Sequence, residues 1–135
     1  MRLLLLLFSA LVLSGCIATN AVTGKKELTL MPESQQIRLG EQSYVPYQQQ
    51  QGGQYTVDPG LTRYVTRVGQ KLAAVSDKPQ LPYEFVVLND GSANAWALPG
   101  GKIAINRGLL MMLEDEAQLA AVIGHEIVHA AAGHS

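Results

Sequence analysis

The chain has 135 residues, 47% of them hydrophobic and 16% charged, with a formal net charge of −1 at pH 7. It is too apolar for a disordered tail and too near neutral for the broad basic field of a nucleic-acid-binding domain. Its single cysteine excludes an internal disulfide and a thiolate-based structural zinc site.

Residues 1–15 read as a lipoprotein signal peptide. Arg2 is a short basic start, Leu3 to Leu13 an apolar run broken only by Ser9, and Ser14-Gly15 a small-residue cleavage site. The run is too short to span a bilayer, which takes about 20 apolar residues. Leu13-Ser14-Gly15-Cys16 resembles a bacterial lipobox, in which the cysteine thiol carries the lipid and cleavage falls just before it. Ile17 in place of Asp after the cysteine resembles the pattern sorted to the outer membrane. The resemblance implies a protein in the cell envelope, lipid-anchored at Cys16 and facing the periplasm. Cleavage removes Arg2 and keeps all eleven acidic residues, so the mature chain carries −2.

Residues 16–30 read as a lipid-anchored tether, and 31–135 as part of a folded domain. Pro32 to Tyr44 is expected to be helical, with Pro46 ending or kinking it. The glutamines from Gln48 to Gln51, before Gly52-Gly53, read as a surface loop. Asp58-Pro59 gives an N-cap with Pro at the first helical position. Leu61, Tyr64, Val65, Val68 and Leu72 then share one helical face, in a helix ending near Val75. Tyr83 to Leu88 is rich in β-formers. Asn94 to Leu98 and Lys102 to Asn106 follow after turns at Asn89-Asp90-Gly91 and Pro99-Gly100-Gly101. An antiparallel meander is expected, with Lys102 to Asn106 half-buried. Leu109 to Leu113 reads as helical. Asp115 and Gln118 suggest a capping box opening a helix from Glu116 to about Ala132, apolar almost all round and hence buried.

That last helix holds His125-Glu126-Ile127-Val128-His129. Residues i and i+4 lie on one face about 6 Å apart at Cβ, so both imidazoles can point at one Zn²⁺. Glu126, turned by about 100°, flanks that position and can take a proton from zinc-bound water. This is why the chemistry wants His, Glu, two spacers and His on a helix. Catalytic zinc normally takes three protein ligands plus water. His134 lies about half a turn away around a continued helix and reaches the same ion only if the helix breaks at Gly133. Glu116 faces away. The third ligand is therefore expected beyond Ser135, and the 135-residue chain alone is expected to bind zinc weakly and not to turn over.

Gly124 to His129, followed by His134, resembles the active-site helix of HtpX-like and CAAX-prenyl-protease-like zinc metallopeptidases (metallopeptidase family forty-eight, gluzincins). Asn94-Ala95-Trp96-Ala97-Leu98-Pro99-Gly100-Gly101, Arg107-Gly108-Leu109-Leu110 and Asp115 to Ala120 fit the same family. Asn20 to Lys25 is similar to the start of its periplasmic lipoprotein members. The resemblance implies an α+β, zincin-like fold with a small, mostly antiparallel sheet packed on the active-site helix. It implies a downstream glutamate as third zinc ligand, and an edge strand that pairs with substrate backbone. Asn94, Ala95 and Trp96 are the candidate substrate strand.

These readings converge on a zinc-dependent metalloendopeptidase of the cell envelope, with residues 31–135 the N-terminal part of its peptidase domain, incomplete at the C-terminus; quality control of misfolded envelope proteins is what the family resemblance alone implies. His125 and His129 would be ligands, with one zinc per subunit and Glu126 the catalytic base. Two alternatives stay open. One is a noncatalytic zincin-like lipoprotein acting as a chaperone or assembly factor. The other is a lipoprotein binding module whose His-Glu-His run is coincidental.

Overall fold

A computed structural model describes residues 17–19, 26–28 and 31–133. Residues 1–15, read above as a signal peptide, lie outside the described residues, as do Cys16 and His134. Among the described residues the architecture is α+β: four helices with a three-stranded sheet, and a separate two-stranded pair near the N-terminus. That pair falls within the segment read as a tether. Its strands β1 (Ile17–Thr19) and β2 (Lys26–Leu28) run antiparallel, with Ile17 opposite Leu28.

Helix α1 spans Glu33–Gln50 and passes through Pro46 rather than ending there. Proline inside a helix removes one hydrogen bond and crowds the preceding turn. Here the turn beyond it is held by packing. Gln48 is buried at 3% exposure, its side-chain oxygen accepts from Gln54 Nε2, and its carbonyl accepts from the Gly53 amide. The glutamine tract is therefore the last turn of a helix, and the expected loop starts only at Gln51. Helix α2 (Pro59–Ala73) begins as its sequence indicates, with the Asp58 carboxylate accepting from the Gly60 amide at 2.8 Å. Val65 and Val68 are buried, and Leu61, Tyr64 and Leu72 pack against the same cluster.

The sheet comprises β3 (Glu84–Leu88), β4 (Ala95–Leu98) and β5 (Lys102–Asn106), in the order β3-β5-β4. β5 is parallel to β3, with Phe85 opposite Ile103, and antiparallel to β4, with Trp96 opposite Ala104. The expected antiparallel meander is thus corrected to a mixed sheet. Between β4 and β5 the two glycines Gly100 and Gly101, at φ +81° and +92°, make a tight hairpin that forces those strands together. The longer 89–94 segment instead carries the chain past the place that β5 takes. β5 is also not half-buried. All five of its residues are buried, because it is the central strand and both its faces are covered.

Side-chain alternation assigns those faces. Phe85, Val87, Ile103 and Ile105 point toward α2 and α4 (Glu116–Ala132), meeting Val65, Val68, Leu119, Ile123 and Ile127. Val86, Leu88, Leu98 and Ala104 point the other way, toward Tyr44 on α1. The sheet is therefore the middle of three layers. Lys102, 3% exposed, is neutralised by Glu84 Oε1 at 2.6 Å. After β5 the apolar run forms only a short helix α3 (Arg107–Leu110), with Met111 and Met112 exposed.

Candidate metal centre

Helix α4 opens at Asp115, whose Oδ1 accepts from the Gln118 amide at 2.9 Å. Gln118 Oε1 reaches back to the Glu114 amide at 2.9 Å, closing the capping exchange one residue earlier than the simple box. The helix ends at Gly133, at φ +71°, the left-handed cap that glycine adopts without penalty. So the helix does break at the residue on which any approach by His134 depends. Glu116 accepts from Tyr64 Oη at 2.9 Å and is committed to the α2 contact.

The helix is not buried all round. Leu119, Ile123, Ile127, Ala130 and Ala131 face the core, while Ala121, His125 and Val128 are exposed. The apolar composition of the outer face marks the wall of a cleft rather than a second core. His125 and His129 lie on this open side with their Nε2 atoms 2.9 Å apart and their rings crossing at 80°. Two imidazole nitrogens this close fit one ion held by bonds of about 2.0–2.1 Å. Glu126 is 9% exposed. Burial pushes its carboxyl above the ordinary range, and His125 and His129 pull the other way. Among the described residues, no group of three His, Cys, Asp or Glu side chains converges on one point. The donor set present therefore fits part of a catalytic zinc site.

An open cleft of about 450 Å³ borders this helix, lined by Ala93, Asn94, Ala95, Leu109, Ala121, Val122, His125 and Glu126. The start of β4 thus stands across the cleft from the two site residues His125 and Glu126. The Asn106 amide donates to the Asn94 carbonyl at 2.9 Å. In an antiparallel ladder the hydrogen-bonded pairs alternate, so Trp96 and Leu98, like the Asn94 carbonyl, turn their backbone groups toward β5. Ala95 and Ala97 turn theirs outward, along the edge that carries no ladder partner among the described residues. Trp96 belongs to this strand, but its ring lies on the opposite face, edge-on to Tyr44 and Tyr47. Of the three residues expected to form the substrate strand, Asn94 and Ala95 border the cleft and Trp96 does not. Ala97 is an edge position the sequence reading omitted, though its period-two relation to Ala95 was visible. Leu109 and Val122 were also not singled out, because nothing in a sequence brings α3 beside α4.

Comparison with known proteins bears on the same segment. The profile of Peptidase family M48 matches residues 59–135, which includes α2, the sheet and α4. The chain is 45% identical over 74 residues to mitochondrial metalloendopeptidase OMA1 of Schizosaccharomyces pombe, covering 55% of this chain and 22% of that protein. It is 34% identical over 77 residues to the beta-barrel assembly-enhancing protease of Escherichia coli K12, covering 57% and 16%. Against the protease of that name from Yersinia pestis it is 27% identical over 141 residues, covering 95% and 29%. The chain thus spans less than a third of each of these relatives.

Proposed function

Because this chain belongs to Peptidase family M48, a family of metallopeptidases, we propose that it carries the catalytic helix of a zinc-dependent endopeptidase. The observation that carries this reading is the convergence of His125 and His129 beside buried Glu126, across a cleft from an open strand edge. His125 and His129 would hold zinc, with a glutamate outside residues 1–135 as the third ligand in a zincin-like fold. When bound, zinc supplies a Lewis acid that acidifies water and polarises a carbonyl.

The chain's own groups do the rest. Ala95 and Ala97 offer outward N–H and C=O groups to an extended substrate, which adds as a strand and brings its scissile carbonyl to α4. Glu126 takes the proton of the attacking water and returns it to the leaving amine. Burial raises the proton affinity of its carboxylate, the direction that favours taking up a proton. Leu109 and Val122 keep the cleft wall apolar, which strengthens the electrostatic interactions within it.

The envelope setting rests on the lipobox-like residues Leu13 to Cys16 and on similarity to a protease named for β-barrel assembly. We place the protein as lipid-anchored at Cys16, facing the periplasm, with misfolded envelope proteins as substrates. No helix among the described residues is long and apolar enough to cross a membrane.

The test uses the full-length protein and an unfolded outer-membrane protein as substrate. Cleavage is expected, and Glu126→Ala should abolish it while zinc content is unchanged. Binding of the unfolded protein without cleavage, in a wild-type sample containing zinc, would overturn the peptidase reading in favour of a chaperone.

A further inference from the structure

Three consecutive residues, the last of β5 and the first two of α3, all grip one segment, the 89–94 loop that leads into β4. Asn106 Nδ2 donates to Ser92 Oγ at 2.9 Å, and the Asn106 amide donates to the Asn94 carbonyl. Arg107 Nε donates to Asn89 Oδ1 at 2.9 Å. The Gly108 amide donates to the Asp90 carbonyl at 3.0 Å. Gly108 also sits so close that a Cβ there would lie 2.1 Å from the Gly91 carbonyl oxygen. The loop stiffens itself as well, because Asp90 Oδ1 accepts from the Ser92 amide at 2.7 Å.

Asn106 is the unusual member of this set. It is fully buried, and its Oδ1 has no hydrogen-bond partner. An orphaned buried oxygen is unfavourable, and such groups call for an explanation. A leucine or valine would fill the end of a central strand without leaving a polar atom unpaired. What the amide provides instead is a donor aimed at Ser92, an exposed residue directly before the cleft-lining run Ala93, Asn94 and Ala95 that leads into β4. A one-residue slip in this ladder would exchange Ala95 and Ala97 for Trp96 on the open edge and carry the indole toward α4.

We propose that Asn106, acting through Ser92, is a positioning residue. It holds the entry to β4 in the register that the Gly100-Gly101 hairpin fixes at the strand's other end, and so keeps the backbone groups of Ala95 and Ala97 facing a bound peptide. This inference rests on the peptidase reading above. It goes beyond it by assigning substrate-strand alignment to a buried amide that touches neither substrate nor metal.

The experiment compares full-length wild type with Ser92→Ala, Ser92→Thr and Asn106→Ala. Ser92 is exposed, so its variants test the contact without opening the core. Two readouts are taken: kinetics on an unfolded peptide of about ten residues, and deuterium exchange over residues 92–98. Ser92→Ala should raise KM between about threefold and tenfold with kcat little changed, the loss of alignment worth about one hydrogen bond. Exchange over the segment should quicken. Ser92→Thr, which keeps the hydroxyl, should restore both, and Asn106→Ala should repeat the Ser92→Ala pattern or exceed it. Unchanged KM in Ser92→Ala, with wild type active, would overturn the positioning role and leave the peptidase reading intact. Absence of cleavage by zinc-loaded wild type would instead overturn the peptidase reading, and the positioning role with it.

Discussion

His125 and His129 present their Nε2 atoms 2.9 Å apart from successive turns of α4, with Glu126 buried between them in sequence and bordering the cleft. Removing one of a pair so close should cost most of the affinity, since neither imidazole is replaced by another described side chain. In the full-length protein His125→Ala should therefore leave zinc well below one per subunit after dialysis, measured by atomic emission. Acidification should release zinc from wild type, because protons compete for the same ring nitrogens. Stoichiometric zinc in His125→Ala would refute the assignment.

Glu126 should make the metal-free protein respond to pH in a definite direction. Burial raises its pKa in the folded state, so the folded protein binds this proton more readily than the unfolded chain. Its contribution to stability is therefore greatest below the ordinary glutamate range. It is lost as pH rises through the window between the unfolded and the raised folded value. Urea denaturation across that window should show wild type losing stability relative to Glu126→Gln, which stays neutral throughout. Parallel curves for the two proteins would show that the carboxylate is not desolvated.

Tyr44 gives a second titration, at the other end of the pH scale. Its phenol is 7% exposed and donates to the Ile103 carbonyl at 3.0 Å. Burial pushes its pKa up, and the Glu84 carboxylate adds to the rise. Stability tied to this proton is present below the ordinary tyrosine value and falls as pH climbs above it, because unfolding then releases the proton. Tyr44→Phe should cost about 1 kcal/mol at neutral pH from the lost hydrogen bond. It should also flatten the alkaline limb of the stability curve, read by chemical denaturation.

Gly108 is expected to tolerate no side chain. A Cβ there meets the Gly91 carbonyl oxygen at 2.1 Å and that of Ser92 at 2.7 Å, both backbone atoms that cannot swing aside. Gly108→Ala should destabilise by about 1–3 kcal/mol, measured as a lowered denaturation midpoint. At Gly124, where a Cβ meets nothing within 4 Å, alanine should instead be accepted. Equal midpoints for Gly108→Ala and wild type would mean the loop is free to move away.

The helices and the candidate site were legible because their signals are local. Asp58-Pro59 and Asp115 with Gln118 name helix starts through hydrogen bonds that reach only two to four residues. His125 and His129 meet because helical repeat alone puts i and i+4 on one face. Errors arose where a distant partner overrode a local preference. Pro46 reads as a stop, yet the turn beyond it is secured by Gln48 against Gln54 and Gly53. Lys102 and Asn106 read as the exposed positions of a half-buried strand, yet both lie in the centre of the sheet.

The residues alone thus determined the helix caps, the stripe on α2, the two glycines of the β4–β5 turn and the His-Glu-His donor set. Each depends on geometry that repeats within one element. Tertiary structure decided that β5 lies between β3 and β4, and so that β4 is an edge strand among the described residues. It also decided that Asn94 and Ala95 face His125 and Glu126 across the cleft, and that Trp96 turns away from it. Strand order is a non-local property, fixed by which apolar faces can be covered at once. No short window of sequence records that competition.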